Sequence, residues 1–216
     1  ALAAGSFVAS GAGAGLAQRV GPVLIVRTGM ALEVLGVLLI SAVISTSVTG
    51  WALAPGLFVY GLGVGFATAQ LTGVILSEVP VSESGQASAV QSTSRQVGAA
   101  IGTALLGATL IAGLGSVTAE LTDRGVPEPV ADQVTTAVQN SAGTAVVALP
   151  AQPGGDVLFA GASSGFASAT RDVGFVAAGL IGLGFLASLF LPRNAARTEA
   201  AGYVTAAEER DASAAG

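Results

Sequence analysis

Charged residues divide the chain into long uncharged stretches separated by short polar segments. No Asp, Glu, Lys or Arg occurs in residues 1–18, 34–77, 96–119 or 173–192. A bilayer core about 30 Å thick needs about 20 mostly apolar residues in helical form, and the last two stretches have about that length. Buried strands of a soluble domain run for only about four to eight residues before a polar turn. The pattern therefore predicts transmembrane helices.

The stretch at 34–77 is long enough for two helices. It contains the turn signal "TSVTGWALAP" at 46–55, where Gly50 and Trp51 suit a membrane interface. The predicted spans cover residues 1–17 (truncated), 23–45, 53–77, 97–114 and 173–191. The predicted organisation is a truncated helix at 1–17, three helices with short loops at 18–114, an external loop at 115–172, a last helix at 173–192 and a disordered cytoplasmic tail at 193–216.

Composition supports this fold class, which is all-α and integral to the membrane. The chain is 52% hydrophobic and only 10% charged, against roughly 25% charged residues in ordinary soluble domains. A soluble Ala/Gly-rich α/β domain is the alternative, and the length of the uncharged stretches argues against it. The chain has no Cys and no His, which excludes disulfides, Cys/His zinc sites and imidazole catalysis. We therefore predict no enzyme activity and no metal or cofactor.

The arginines predict the orientation of the spans. Lys and Arg are retained on the cytoplasmic side of a membrane, whereas acids contribute little. Alternate loops of a five-span chain share one side, and that side holds Arg19, Arg27, Arg95, Arg193, Arg197 and Arg210. The other side holds only Arg124 and Arg171. The turn "GLAQRVGP" at 15–22 and the C-terminus are therefore predicted to be cytoplasmic. The net charge of −5 comes with no basic cluster, so no nucleic-acid partner is expected.

The predicted external loop is too long for a passive connection. Valines recur at a four-residue spacing at 126, 130, 134 and 138, and Pro129 suits the first turn of a helix. We expect one or two amphipathic helices on the outer surface. Residues 143–169 are rich in Gly, Ala and Ser and are expected to be irregular, with Phe159 and Phe166 reaching the interface.

Pairs of glycines four residues apart predict close helix contacts. Such a pair lies on one face of a helix and lets a neighbouring backbone approach. The pairs are Gly11 and Gly15, Gly61 and Gly65, and Gly98 and Gly102. The stretch "GLGVG" lacks the spacing and the context of a nucleotide-binding loop.

Glu33 is the only acidic residue inside a predicted span. It lies about 15 Å along the helix from residue 23, close to the bilayer midplane. An acid at that depth is a candidate proton carrier, and the alternative is a structural hydrogen bond or a pairing with another helix. Arg27 is expected to snorkel to the cytoplasmic interface. Arg95 is a candidate gate residue opposite Glu78 or Glu83, and topology anchoring explains it equally well.

Three segments carry a resemblance to a known family. They are "GLAQRVG", "LAPGLFVYGLGVGFATAQL" and "LSEVPVSESGQASAVQSTSRQVGAAIGTALLG". Together they resemble the C-terminal part of a major facilitator superfamily transporter, of the fourteen-span drug:proton antiporter branch. The family joins two helices by a cytoplasmic G-x-L-x-D-R-x-G-R loop. Leu16, Arg19 and Gly21 fit that pattern, whereas Ala14, Gln18 and Pro22 depart from it.

The resemblance implies a function and a set of site residues. The third span would line a central cavity, with Tyr60, Thr68, Gln70 and Thr72 available to a small-molecule substrate. Their alternative role is hydrogen bonding between helices. Arg19, Gly21 and Arg95 would belong to the cytoplasmic loop and gate. The proton gradient would drive efflux of amphipathic or cationic small molecules, by rocking of two halves around a midplane site.

The chain does not begin with Met and has no basic region before its first apolar run. We therefore expect a fragment whose partners are the bilayer of the plasma membrane and a missing N-terminal half of the same protein. The alternative is a non-transporting membrane scaffold or assembly subunit, complete in five spans, whose external loop binds a partner. The upstream reading frame discriminates the two interpretations.

Overall fold

The computed structural model describes residues 1–76, 79–151 and 153–190, and in these ranges it contains helices and no strands. The α-helices are α1 (Leu2–Val20), α2 (Pro22–Val43), α3 (Gly50–Leu76), α4 (Ser84–Gly113), α5 (Ser116–Asp123), α6 (Glu128–Asn140) and α7 (Gly155–Ser188). Short 3-10 helices cover Val81–Glu83 and Thr144–Ala151. The predicted all-α fold is confirmed.

Four of the described helices are long and apolar enough to cross a membrane. They begin at Pro22, Gly50, Ser84 and Gly155, whereas the apolar part of α1 is the shorter segment Leu2–Gly13. These are the helices that the uncharged stretches predicted. Several helices of this length and composition are typical of a multi-pass membrane protein. The predicted tail at 193–216 lies outside the described residues.

Glycine and proline separate α1 from α2. Gly21 has a positive φ of 89°, a backbone conformation that favours glycine because it has no Cβ. Its N–H donates to the carbonyl of Ala17 and closes the end of α1. Pro22 then begins α2, where its missing N–H is not needed. The local residues Gly21 and Pro22 are therefore sufficient to form this turn.

The chain divides into two compact units. Among the described residues, the first comprises 1–36, 57–96 and 181–190, and the second comprises 37–56 and 97–180. The boundaries fall inside α2, α3, α4 and α7, so the same helices supply residues to both units.

In the first unit, α1 packs closely on α3. A Cβ added to Gly61 would collide with the carbonyl oxygen of Leu2, and one added to Gly65 would meet Ala9 at 2.6 Å. The hydroxyl of Ser6 donates to the carbonyl of Gly61 at 3.0 Å. Gly61 and Gly65 therefore bring two helix backbones together. By contrast, a Cβ added to Gly11 or Gly15 would meet no described atom within 4 Å.

In the second unit, α5, α6, the 3-10 helix at Thr144–Ala151 and residues 155–169 of α7 fold around one core. We call this the α5–α7 cluster. Its fully buried residues include Leu114, Val117, Leu121, Ala131, Val138 and Ala162. The hydroxyl of Thr118 donates to that of Thr135 at 2.8 Å and joins α5 to α6. The predicted helices are present as α5 and α6, and of the predicted valine face Val134 and Val138 are buried in protein whereas Val130 is exposed.

The expectation of an irregular segment at 143–169 is wrong, because α7 already begins at Gly155. Its small residues serve helix packing, since Gly161 lies against Leu121 and Gly165 against Val117. Phe166 packs on the α5–α7 cluster, and its predicted contact with the membrane interface stays a prediction. With 34 residues, α7 is about 51 Å long, more than a bilayer core requires.

In the second unit, α7 also holds the end of α2. The Nη2 atom of Arg171 donates to the carbonyl of Ile44, just past the last residue of α2. A cation at this position satisfies a free carbonyl and complements the negative end of the helix dipole. Gly174 lies against Ser41 and allows the two helices to approach.

Candidate functional site

A groove in the first unit is lined by α3 and α4. Its volume is about 630 Å³, and its described lining residues are Leu71, Ala87, Val90, Gln91, Ser94 and Arg95. The α4 residues follow one another at intervals of three, one, three and one, so they share one helix face. The groove is mostly apolar, and its polar side chains Gln91, Ser94 and Arg95 belong to the later turns of this α4 face. The sequence indicates Arg95 as a candidate but not the apolar residues that repeat with it along α4.

Arg95 is exposed and forms no hydrogen bond or ion pair with the described residues. Of its predicted gate partners, Glu78 lies outside the described residues. Glu83 precedes Arg95 by twelve positions, about 18 Å along a helix axis, which is too far for an ion pair. The gate role of Arg95 stays a prediction, and its placement in the groove is the new observation.

The four predicted cavity residues occupy different positions on α3. Tyr60 lies against Gly36 of α2, because a Cβ added to Gly36 would overlap the Tyr60 backbone. Thr68 is exposed and Gln70 is half-buried. Thr72 belongs to α3, but its side chain lies outside the description. Tyr60, Thr68 and Gln70 are not among the described residues of the groove, and their contact with substrate stays a prediction.

Glu33 lies on the face of α2 that contacts α3. A Cβ on Gly63 would meet the Glu33 backbone nitrogen at 2.6 Å and its Cγ at 2.8 Å, so glycine at 63 leaves room for the acid. The side chain is half-buried. This placement puts a carboxyl between two predicted transmembrane helices.

Arg27 has a protein partner, where the sequence predicted only the interface. Its Nε and Nη2 atoms donate to the carbonyls of Ser188 and Leu189 at 3.1 and 3.0 Å. These carbonyls lie at the C-terminal end of α7, where backbone C=O groups have no partner within the helix. The guanidinium of Arg27 donates hydrogen bonds to them instead. Arg27 therefore ties α2 to the end of α7 in the first unit. Arg19 is exposed in the last turn of α1, next to the Gly21 turn.

α4 differs from the other long helices in its exposure. None of its residues is buried, and its exposed hydrophobic residues include Val90, Val97, Ile101 and Ile111. Gly98 and Gly102 have no described atom within 4 Å of an added Cβ. Their predicted packing role therefore has no counterpart within the described part of the chain. Among the residues that the structure describes, no group of three or more Asp, Glu, His or Cys side chains is arranged to hold a metal ion.

Comparison with known proteins identifies relatives among transporters. The chain is 31% identical over 115 residues to "Multidrug resistance protein Stp" of Mycobacterium tuberculosis, which covers 53% of the chain and 21% of that protein. It is 35% identical over 100 residues to "Probable actinorhodin transporter" of Streptomyces coelicolor, which covers 45% of the chain and 17% of that protein. No protein-family model matches the chain, and no solved structure matches it significantly.

The aligned part of the chain thus spans about a fifth of the length of each relative. The fourteen-span branch stays a prediction, since the alignments do not count spans. The names of the relatives are those of a multidrug resistance protein and a transporter, and the chain has the apolar helices that such proteins need. The predicted resemblance to major facilitator drug efflux transporters is confirmed by these relatives.

Proposed function

We propose that the complete protein is a multidrug-type efflux transporter that exports amphipathic small molecules in exchange for protons. The observation that carries the proposal is the 31–35% identity, over about half of the chain, to a multidrug resistance protein and an actinorhodin transporter. The helices described above fit part of one half of such a protein. The relatives' names also favour a transporter over an enzyme.

Alternating access would follow from the packing of the helices. Transporters of this type rock two helix bundles around a site near the bilayer midplane. α1, α2 and α3 pack through glycines and would move together, while the unburied α4 would face the other half of the complete protein. The missing N-terminal half and a cytoplasmic C-terminus belong to this proposal, as does a place in the plasma membrane.

Efflux in inverted membrane vesicles tests the proposal. The complete protein should drive uptake of a fluorescent amphipathic dye into vesicles whose lumen is acidic relative to the outside. A protonophore should abolish this uptake. Vesicles from cells that carry the empty vector provide the background. Absence of gradient-dependent uptake for a broad panel of neutral, anionic and cationic dyes would favour the scaffold alternative.

The location of Glu33 leads to a second expectation. If its carboxyl carries protons between α2 and α3, Glu33→Gln removes the titrating proton and keeps the shape of the side chain. Gradient-driven uptake should then fall about a hundredfold or more, since positioned proton transfer contributes at least that much. Glu128→Gln, at an exposed acid of α6, is the matched control. Unchanged uptake by Glu33→Gln would leave Glu33 only a structural role.

A further inference from the structure

The groove between α3 and α4 is lined mainly by one face of α4. Ala87, Val90, Gln91, Ser94 and Arg95 follow one face of α4, and Leu71 of α3 lies across from them. A volume of about 630 Å³ falls within the range of about 300–1,000 Å³ typical of small-molecule sites. The apolar lining with a few polar groups at one end is also typical of such sites.

The described lining of the groove carries positive charge only. Arg95 is the only charged residue among its described lining residues, and none of those carries a carboxylate. Arg27, in the same unit, differs because backbone carbonyls of Ser188 and Leu189 already occupy its guanidinium. The guanidinium of Arg95 has no partner among the described residues. A guanidinium beside an apolar wall binds carboxylate or sulfonate groups by paired, charge-assisted hydrogen bonds.

We propose that this groove binds amphipathic organic anions, with the apolar body against Leu71, Ala87 and Val90 and the acid group at Arg95. The inference rests on the proposed function and narrows its substrate class to compact molecules with one acidic group. A cation of the same shape would be repelled by Arg95 with no carboxylate in the described lining to compensate. An anionic lipid headgroup shares the acid chemistry, but the volume suits a compact molecule.

Equilibrium binding to the complete protein in phosphatidylcholine nanodiscs tests this. The probes are dansylglycine and dansylglycinamide, which have the same aromatic body and differ in one negative charge. Binding is followed by dansyl emission. The wild type should bind the carboxylate at least about tenfold more tightly than the amide, as one charge-assisted contact allows. Arg95→Gln should remove the preference and Arg95→Lys should keep part of it.

Arg124→Gln provides the matched control, because Arg124 is an exposed arginine of the second unit paired with Glu120. This variant should keep the wild-type preference. Equal binding of the two probes by the wild type would overturn the inference even if every variant misfolded. A preference that survives Arg95→Gln would also overturn it.

Nanodiscs that contain phosphatidylglycerol separate a lipid from a transported anion. If a headgroup occupies Arg95, the added lipid should weaken dansylglycine binding by the wild type but not by Arg95→Gln, and this result would contradict the inference. Equal effects on both proteins would support it. Dye efflux without a charge preference would overturn this inference alone, whereas a charge preference without any efflux would count against the proposed function alone.

Discussion

Replacing Gly61 and Gly65 together with leucine is expected to abolish most of the folded yield of the protein. A Cβ at position 61 would overlap the carbonyl of Leu2, and a Cβ at position 65 would meet Ala9 and the backbone of Ser6. These contacts are mainly with the backbone of the neighbouring helix α1. Overpacking costs about 1–3 kcal/mol per site where side chains can adjust, and a backbone adjusts less. The measurement is the monodisperse fraction on size-exclusion chromatography in detergent, followed by dye efflux.

Gly11 and Gly15 provide a control with the same spacing. They belong to α1, the partner of α3 in this contact, but an added Cβ at either position has no described neighbour within 4 Å. Gly11→Leu with Gly15→Leu should therefore leave the folded yield near that of the wild type. If the variants at 61 and 65 gave normal yield and normal efflux, the close approach of α1 and α3 would be contradicted. Equal losses in the two pairs would attribute the effect to leucine content rather than contact.

Introducing a charge into the α5–α7 cluster is the second change with a large expected effect. Val138 is 0% exposed and lies in the cluster's core, so Val138→Asp would bury a carboxylate with no partner. An unpaired buried charge costs several kcal/mol, which is a large part of the stability of a small cluster. We expect the cluster to open while the long helices stay in the membrane. Limited proteolysis should then cut the chain between residues 115 and 155.

Val130→Asp is the matched control, because Val130 lies on the same helix and is 40% exposed. It should leave the protease pattern unchanged. The comparison also separates two arrangements of α6. If the helix rested on a lipid surface, as its valine spacing alone suggested, both substitutions would act alike. If α6 instead packs its buried face against the rest of the α5–α7 cluster, only Val138→Asp should open the cluster.

The packing of α3 shows where sequence reasoning reached its limit. The four-residue spacing marks Gly61 and Gly65 as one face, and the structure places that face against α1. Gly63 lies between them in the chain but faces Glu33 of α2. A transmembrane helix is apolar all round, so its sequence has no polar side to orient it. The same lack of orientation explains why the sequence alone does not place Tyr60 against Gly36 of α2.

The arginines show a related limit. Their distribution along the chain predicted the orientation of the helices in the membrane. Arginines in loops are retained on the cytoplasmic side whether or not they contact another residue. Their individual roles depend on which helix end is nearby. Arg27 binds the end of α7 and Arg171 the end of α2, and these residues are more than a hundred positions apart in each case. No local pattern in the sequence indicates such contacts.

By itself the sequence determined that the chain is a bundle of membrane-spanning helices, roughly where the long ones run, and which transporters it resembles. These properties depend on the length of uncharged stretches, because lipid excludes charge and requires every backbone group to be paired within the helix. Only the tertiary structure decided which helix each glycine faces, that α7 begins at Gly155, and that Arg95 lies in a groove. Those features depend on contacts between distant segments, and in a chain this rich in small apolar residues many helix faces look alike until they are packed.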